Sequence, residues 1–161
     1  MQQVTISLYT IDELTNERAK EKARDWCRQT GGAHWRDESL GSVNAFCGHF
    51  GVTLKAWEVS AYTSPYFSTD AENSHFRGRK VSDFKPDHMP TGYALDWALW
   101  STFYHEFKRT GDAKAAFVQA LTEGFKCWRA DLEDQDSAEY IDEHLEANGY
   151  MFTEDGTRFN D

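Results

Sequence analysis

Eight carboxylates crowd residues 131–146: Asp131, Glu133, Asp134, Asp136, Glu139, Asp142, Glu143 and Glu146, with no Lys or Arg among them. On a helix, Glu139, Asp142, Glu143 and Glu146 fall at i, i+3, i+4 and i+7, which is one face. Like charges at that spacing repel, so the arrangement costs a little stability unless a cation compensates. At 1.5 Å per residue the face spans roughly 10 Å, the scale of successive phosphates along a nucleic-acid strand. Such a face could dock a basic partner, in the extreme as an imitation of nucleic acid. A solvated face that keeps the chain dissolved accounts for the same residues and is the preferred reading. The partner-binding candidates are Asp131, Asp134, Glu139, Asp142, Glu143 and Glu146.

The opposite chemistry is concentrated in His75-Phe76-Arg77-Gly78-Arg79-Lys80. Cations interleaved with an aromatic can contact phosphate or RNA. A loop or edge strand balancing Asp70, Glu72 and Asp83 accounts for the same residues and is the preferred reading. Tyr62, Tyr66, Phe67, Phe76 and Phe84 either anchor a partner or pin their segment to the core, and pinning is preferred. Cys47-Gly48-His49 with Cys27 or Cys127 could supply thiolate and imidazole to a metal. Structural zinc sites, however, repeat paired ligands at short spacing, and these cysteines fall on apolar helix faces, where free cysteine packs as a small hydrophobe. No metal or cofactor is expected. G-x-S-x-G, Walker, dinucleotide-glycine and H-E-x-x-H patterns are all missing. His105-Glu106, Asp87-His88 and Glu143-His144 are sequence neighbours, which rarely face one another on a helix. No catalytic residue is assigned, and the expectation is a non-enzyme.

The chain has 161 residues, 40% hydrophobic and 15% aromatic, with a net charge of −10. That length fits one domain, 1–161, and that apolar content excludes a disordered chain. The charge is uneven: residues 1–110 carry 13 Lys and Arg against 14 Asp and Glu, and residues 111–161 carry 4 against 13. Direct nucleic-acid binding through a broad basic face is therefore not expected. Three cysteines without CxxC spacing, no apolar leader and no run of 18 apolar residues imply a reduced, cytoplasmic, unanchored protein.

The elements that position these residues can be read from periodicity and caps. Alternation over 4–9 reads as a strand, followed by a Thr10–Glu13 capping box. The next helix buries Ala19, Ala23 and Trp26, with Glu17–Lys20, Glu21–Arg24 and Asp25–Arg28 pairs forming a solvated face, and ends at Gly31-Gly32. A second helix is read over 35–49, stopped at Gly51, and a strand over 52–61. Periodicity fades over 62–91, an irregular, insertion-like loop with all three prolines and a short strand at 74–81. Helix resumes over 93–109, its first half apolar nearly all round. Asp112 caps the next, with a Phe117, Leu121, Phe125, Trp128 and Leu132 stripe. Ser137 caps the last, which buries Tyr140, Ile141 and Leu145 and stops at Gly149. A two-residue Asp155-Gly156 turn closes the chain and sets Phe152 across from Phe159.

Thr10-Ile11-Asp12-Glu13-Leu14, four residues, then Ala19-Lys20-Glu21-Lys22-Ala23-Arg24-Asp25-Trp26 resembles the opening of small bacteriophage and prophage proteins of uncharacterised function. Asn148-Gly149-Tyr150-Met151-Phe152-Thr153-Glu154-Asp155-Gly156 resembles the way they close. The resemblance implies phage origin, a bacterial host cytosol and an α+β fold, and it carries no catalytic residue. The expected fold is about five helices on a small, mainly antiparallel sheet built from the N-terminal strand, the middle strand and the C-terminal hairpin. The expected function is stoichiometric inhibition or modulation of a host protein with a basic surface, such as an antiviral defence or nucleic-acid-binding component. The alternatives are a self-associating structural or accessory protein, dimerising through the aromatic-rich Tyr93–Phe107 helix, and an enzyme whose site is unrecognised.

Overall fold

A computed structural model describes residues 5–30 and 36–160. The fold is α+β, with five α-helices and a two-stranded antiparallel sheet among the described residues. Within the span read as one domain, the chain sorts into two compact units: Met1–His34 with Asp134–Asp161, and Trp35–Glu133. Each has its own apolar core.

The second unit contains α2 (Arg36–His49), β1 (Leu54–Glu58), β2 (Tyr66–Thr69), α3 (Ala94–Thr110) and most of α4 (Ala113–Gln135). Its centre is aromatic. Phe46 stacks on Phe117 at 5.2 Å and meets Trp100 edge-on at 4.9 Å, while Phe50 lies 4.9 Å from Phe103. The expected stripe on α4 is buried throughout. Gly124 lets α4 pass against Leu99, where any side chain would collide. The start of α3 is fixed by Asp96, whose Oδ2 accepts hydrogen bonds from Thr91 N, Thr91 Oγ1 and Gly92 N.

β1 pairs with β2, setting Trp57 opposite Phe67 and Glu58 opposite Tyr66. The sheet packs on α4 through Trp57 against Trp128 at 5.1 Å and Phe67 against Phe125 at 5.0 Å. So the segment read as irregular over 62–91 supplies a strand and two 3-10 turns. The strand expected at 74–81 does not form. Asn73–Phe76 is a 3-10 turn that drops Phe76 between Phe50 and Phe117, and Gly78 then takes a left-handed φ of 75°, which no strand tolerates. Pinning by aromatics holds for Phe67, Phe76 and Phe84, whereas Tyr62 and Tyr66 are 79% and 56% exposed.

The first unit packs α1 (Glu17–Thr30) on α5 (Ala138–Ala147) through Ala19, Ala23, Cys27, Ile141 and Leu145. Glu13 accepts from Thr10 N as expected, but that box closes only a turn; Asn16 Oδ1 caps α1, accepting from Arg18 N and Ala19 N. The expected N-terminal strand reduces to one bridge, Tyr9 with Phe152, and Ile6 is exposed; Val4 and Gly31-Gly32 lie outside the described residues. The expected single sheet is corrected accordingly: the chain termini bridge to each other in the first unit, and the middle strand pairs with β2 in the second.

The closing hairpin exists with a different register. Gly156 N donates to Thr153 O, Thr153 N donates to Thr157 O, and Phe152 bridges Arg158 rather than Phe159. Glu154, Asp155 and Gly156 form a three-residue loop with Gly156 left-handed at φ 82°. Gly156 also lies against the Ala19 carbonyl, where a Cβ would strike backbone. Gly156→Ala should therefore cost about 2–4 kcal/mol, combining left-handed strain with overpacking. Gly41→Ala, in open space within α2, should gain about 0.5–1 kcal/mol. Urea midpoints that move in the same direction for both would contradict this assignment.

Candidate functional site

Arg24 is 7% exposed, which corrects the reading of the α1 charges as a solvated face. The buried stripe Ala19, Ala23 and Cys27 is small, so α5 closes on α1 and takes the neighbouring guanidinium with it. Its fork holds Asp142 by two bonds, Nε to Oδ1 at 2.8 Å and Nη2 to Oδ2 at 2.7 Å. Nη1 donates to Glu17 at 2.8 Å and Glu21 at 3.2 Å. Glu17 thus bonds Arg24 rather than Lys20. Asp142, against the opposing effect of burial and with help from Glu17 and Glu21, holds the Arg24 guanidinium above its already high ordinary pKa. Arg28 extends the lattice to Glu21 and Asp25, both at 2.7 Å, and to the Asp136 carbonyl at 3.4 Å.

This lattice divides the acidic candidates. Asp142 is 22% exposed and committed to Arg24. Glu139, Glu143 and Glu146 remain together on α5, exposed and without an ion pair or hydrogen bond from their side chains among the described residues. Asp134 is exposed and Asp131 half-buried, both on α4.

The basic candidates are also divided. Phe76 is core; His75 Nδ1 accepts from Glu72 N at 3.0 Å; Lys80 caps a turn through Asp83, which accepts from its backbone N–H. Arg79 lies over the Phe50 ring at 5.4 Å and reaches His49 O at 3.5 Å. Arg77 is exposed and, with Arg79, Phe107, Asp112 and Lys114, borders a depression of about 470 Å³. Asp112 sits there as the α4 cap, accepting from Ala115 N.

Burial pushes the Cys47 thiol up to about 12 and raises Cys27 and Cys127 as well, so none is a ready thiolate near neutrality. Among the described residues no three His, Cys, Asp or Glu side chains are grouped to hold a metal, and no helix is long and apolar enough to cross a membrane. The aromatic face of α3 offered for dimerisation is consumed internally: Trp100, Phe103 and Phe107 are buried, leaving Trp97 exposed.

Sequence reasoning missed a groove of about 850 Å³ in the first unit. Arg18, Trp26 and Gln29 of α1 form one side, and Asp155, Thr157 and Arg158 of the hairpin the other. Lys22 crosses it, bonding Asp155 and Thr157 at 2.6 Å each. The guanidinium carbon of Arg158 lies 4.8 Å from the Tyr150 ring centre and 5.5 Å from that of Trp26. Comparison with protein families, curated proteins and solved structures finds no match.

Asp155 is held below the usual carboxylate range, first by Lys22 and then by Thr153 and Thr157, and Glu21 is lowered chiefly by Arg28. A depressed folded-state pKa adds stability that is present above the ordinary value, about 4, and is lost as pH falls through the lowered one. The urea midpoint should therefore fall with pH below about 5. The combined variant Asp155→Asn, Glu21→Gln should show a shallower fall; an unchanged pH profile would contradict the pairing.

Proposed function

We propose that this chain is a stoichiometric binding protein of phage type that engages a basic surface on a host protein through the exposed carboxylates of α5. The observation that carries the reading is selective pairing. In the first unit Glu17, Glu21, Asp25, Asp142 and Asp155 are all matched to Arg or Lys, whereas Glu139, Glu143 and Glu146, one helical face, are left to the solvent. That unit carries 6 Lys and Arg against 14 Asp and Glu, so its field is strongly negative. Such a field speeds encounter with a cationic partner and repels nucleic acid. The phage-like opening and closing segments both lie in this unit, which makes it the part that would meet the host.

Asp142 is excluded from the contact surface because its carboxylate is spent on Arg24. Replacing Glu139, Glu143 and Glu146 together with Gln removes the free charge and leaves the Arg24 lattice in place. Tagged wild-type and triple-variant proteins, incubated with nuclease-treated bacterial lysate, should differ. A host protein retained by the wild type at low salt should be released at high salt and be retained at least about tenfold less by the variant. Circular dichroism should be the same for both. Equal retention by the triple variant, or no host protein retained by the wild type, would refute the reading.

A further inference from the structure

In the second unit, residues 85–90 run as a mostly exposed span between two fixed points. At one end Phe84 is buried in the aromatic core, and at the other Asp96 clamps Thr91 and Gly92. The side chains of Lys85 and Asp87 have no hydrogen bond or ion pair among the described residues. The span meets the core through His88, whose ring lies edge-on to Trp100 at 4.6 Å. Trp100 takes a second imidazole. His49, the last residue of α2, lies edge-on to it at 4.9 Å, with the two histidine rings 6.2 Å apart. His49 also packs on Phe50 and Phe84. Both histidines are exposed, so protons reach them without any opening of the fold.

The charges around this cluster decide what a proton does to it. Arg79, from the turn after Asn73–Phe76, reaches His49 O at 3.5 Å. Asp96 lies one turn before Trp100 on α3, but its Oδ2 is occupied by Thr91 and Gly92. Asp83, which ends the Val81–Asp83 turn, accepts from Lys80 N. Neither imidazole is paired with a carboxylate among the described residues. One imidazolium can rest against an indole, since cation and ring attract. Two of them at 6.2 Å, with Arg79 beside them, repel. Exposure screens that repulsion, which leaves a bias of about tenfold against the closed arrangement. Burial, then Arg79 and His88, lowers the His49 pKa from its ordinary 6.5. The closed arrangement therefore favours neutral His49: its stability is complete above about 6.5 and is lost as pH falls through the lowered value.

We propose that residues 85–90 form a proton-released strap, held on Trp100 by His88 and let go when His49 and His88 are both protonated. The strap is the part that moves, because His49 is fixed at a helix end while His88 stands in irregular chain. Phe84 and the Asp96 clamp confine the opening to the residues between them. Opening bares the flank of Trp100 that His88 covers. This device lies in the second unit and is independent of the α5 carboxylates, so either can fail without the other.

The test follows indole N–H exchange in the full 15N-labelled chain from about pH 7.5 to about pH 5. The Trp100 and Trp128 indole nitrogens are both buried without a partner. Trp128 packs on Trp57 and Phe125 rather than on the strap, which makes it an internal reference. Acidification should speed Trp100 exchange by about tenfold relative to Trp128, while global unfolding would speed both alike. The 15N NOEs of Asp87, His88 and Met89 should drop over the same range. His88→Phe keeps a ring against Trp100 without a titrating nitrogen, and His49→Gln removes the second charge. In each variant the Trp100 to Trp128 ratio should stay constant with pH, and either variant decides the matter if the other does not fold. A wild-type ratio that does not change with pH, a parallel rise at both indoles, or the wild-type change persisting in either variant would overturn the proposal.

Discussion

A guanidinium taken out of water must find counter-charges within reach, and Arg24 finds them at the mostly buried Asp142 and at the exposed Glu17 and Glu21. Desolvating the pair costs several kcal/mol per ion, offset only when geometry is good and the remaining donors are filled. Both conditions are met: two parallel bonds to one carboxylate, and a third nitrogen shared by two more. The consequence is directional. α5 must present Asp142 inward, and with that rotation fixed, Ile141 and Leu145 face the core while Glu139, Glu143 and Glu146 face solvent. The free acidic surface and the buried ion pair are therefore two results of one constraint.

The second unit solves its packing by other means. Its core is a continuous set of aromatic contacts in which Phe46, Phe50, Trp100, Phe103 and Phe117 each touch several of the others. Large rings bury much area per residue with few rotatable bonds. The long connection between β2 and α3 is held to this core by Phe76 and Phe84. His49 and His88 both lie edge-on to Trp100, and burial, ahead of Arg79 and His88, lowers the His49 pKa. With its pKa lowered from the ordinary value, His49 packs as a neutral ring at neutral pH.

What was legible in the sequence was local. The Ser137 cap and the α4 stripe each depend on residues within a few positions of one another, and each formed as read; α3 formed as a helix but leaves Trp97 of its first half exposed. β2 was invisible because four residues beside Pro65 have too little length for periodicity and take their pairing from β1. The hairpin slipped by one position because a glycine after Asp suits both a two-residue turn and the left-handed end of a three-residue loop; the Asp155 bonds to Lys22, Thr153 and Thr157 favour the latter. Arg24 was misjudged because its decisive partner lies 118 positions away. The groove was missed for the same reason, since α1 and the hairpin come from opposite ends of the chain. The acidic tract was visible in composition, which could not say which of its carboxylates the fold would consume.

The orientation of α5 therefore turns on whether Arg24 and Asp142 act as a unit. A double-mutant cycle of Arg24→Met and Asp142→Leu, read as urea unfolding free energies at neutral pH, measures this directly. Each single change should be costly and the double variant should recover much of the loss, with a coupling of about 2 kcal/mol or more. Losses that add within about 0.5 kcal/mol would mean that the pair does not fix α5, and that the orientation of its acidic face has another cause.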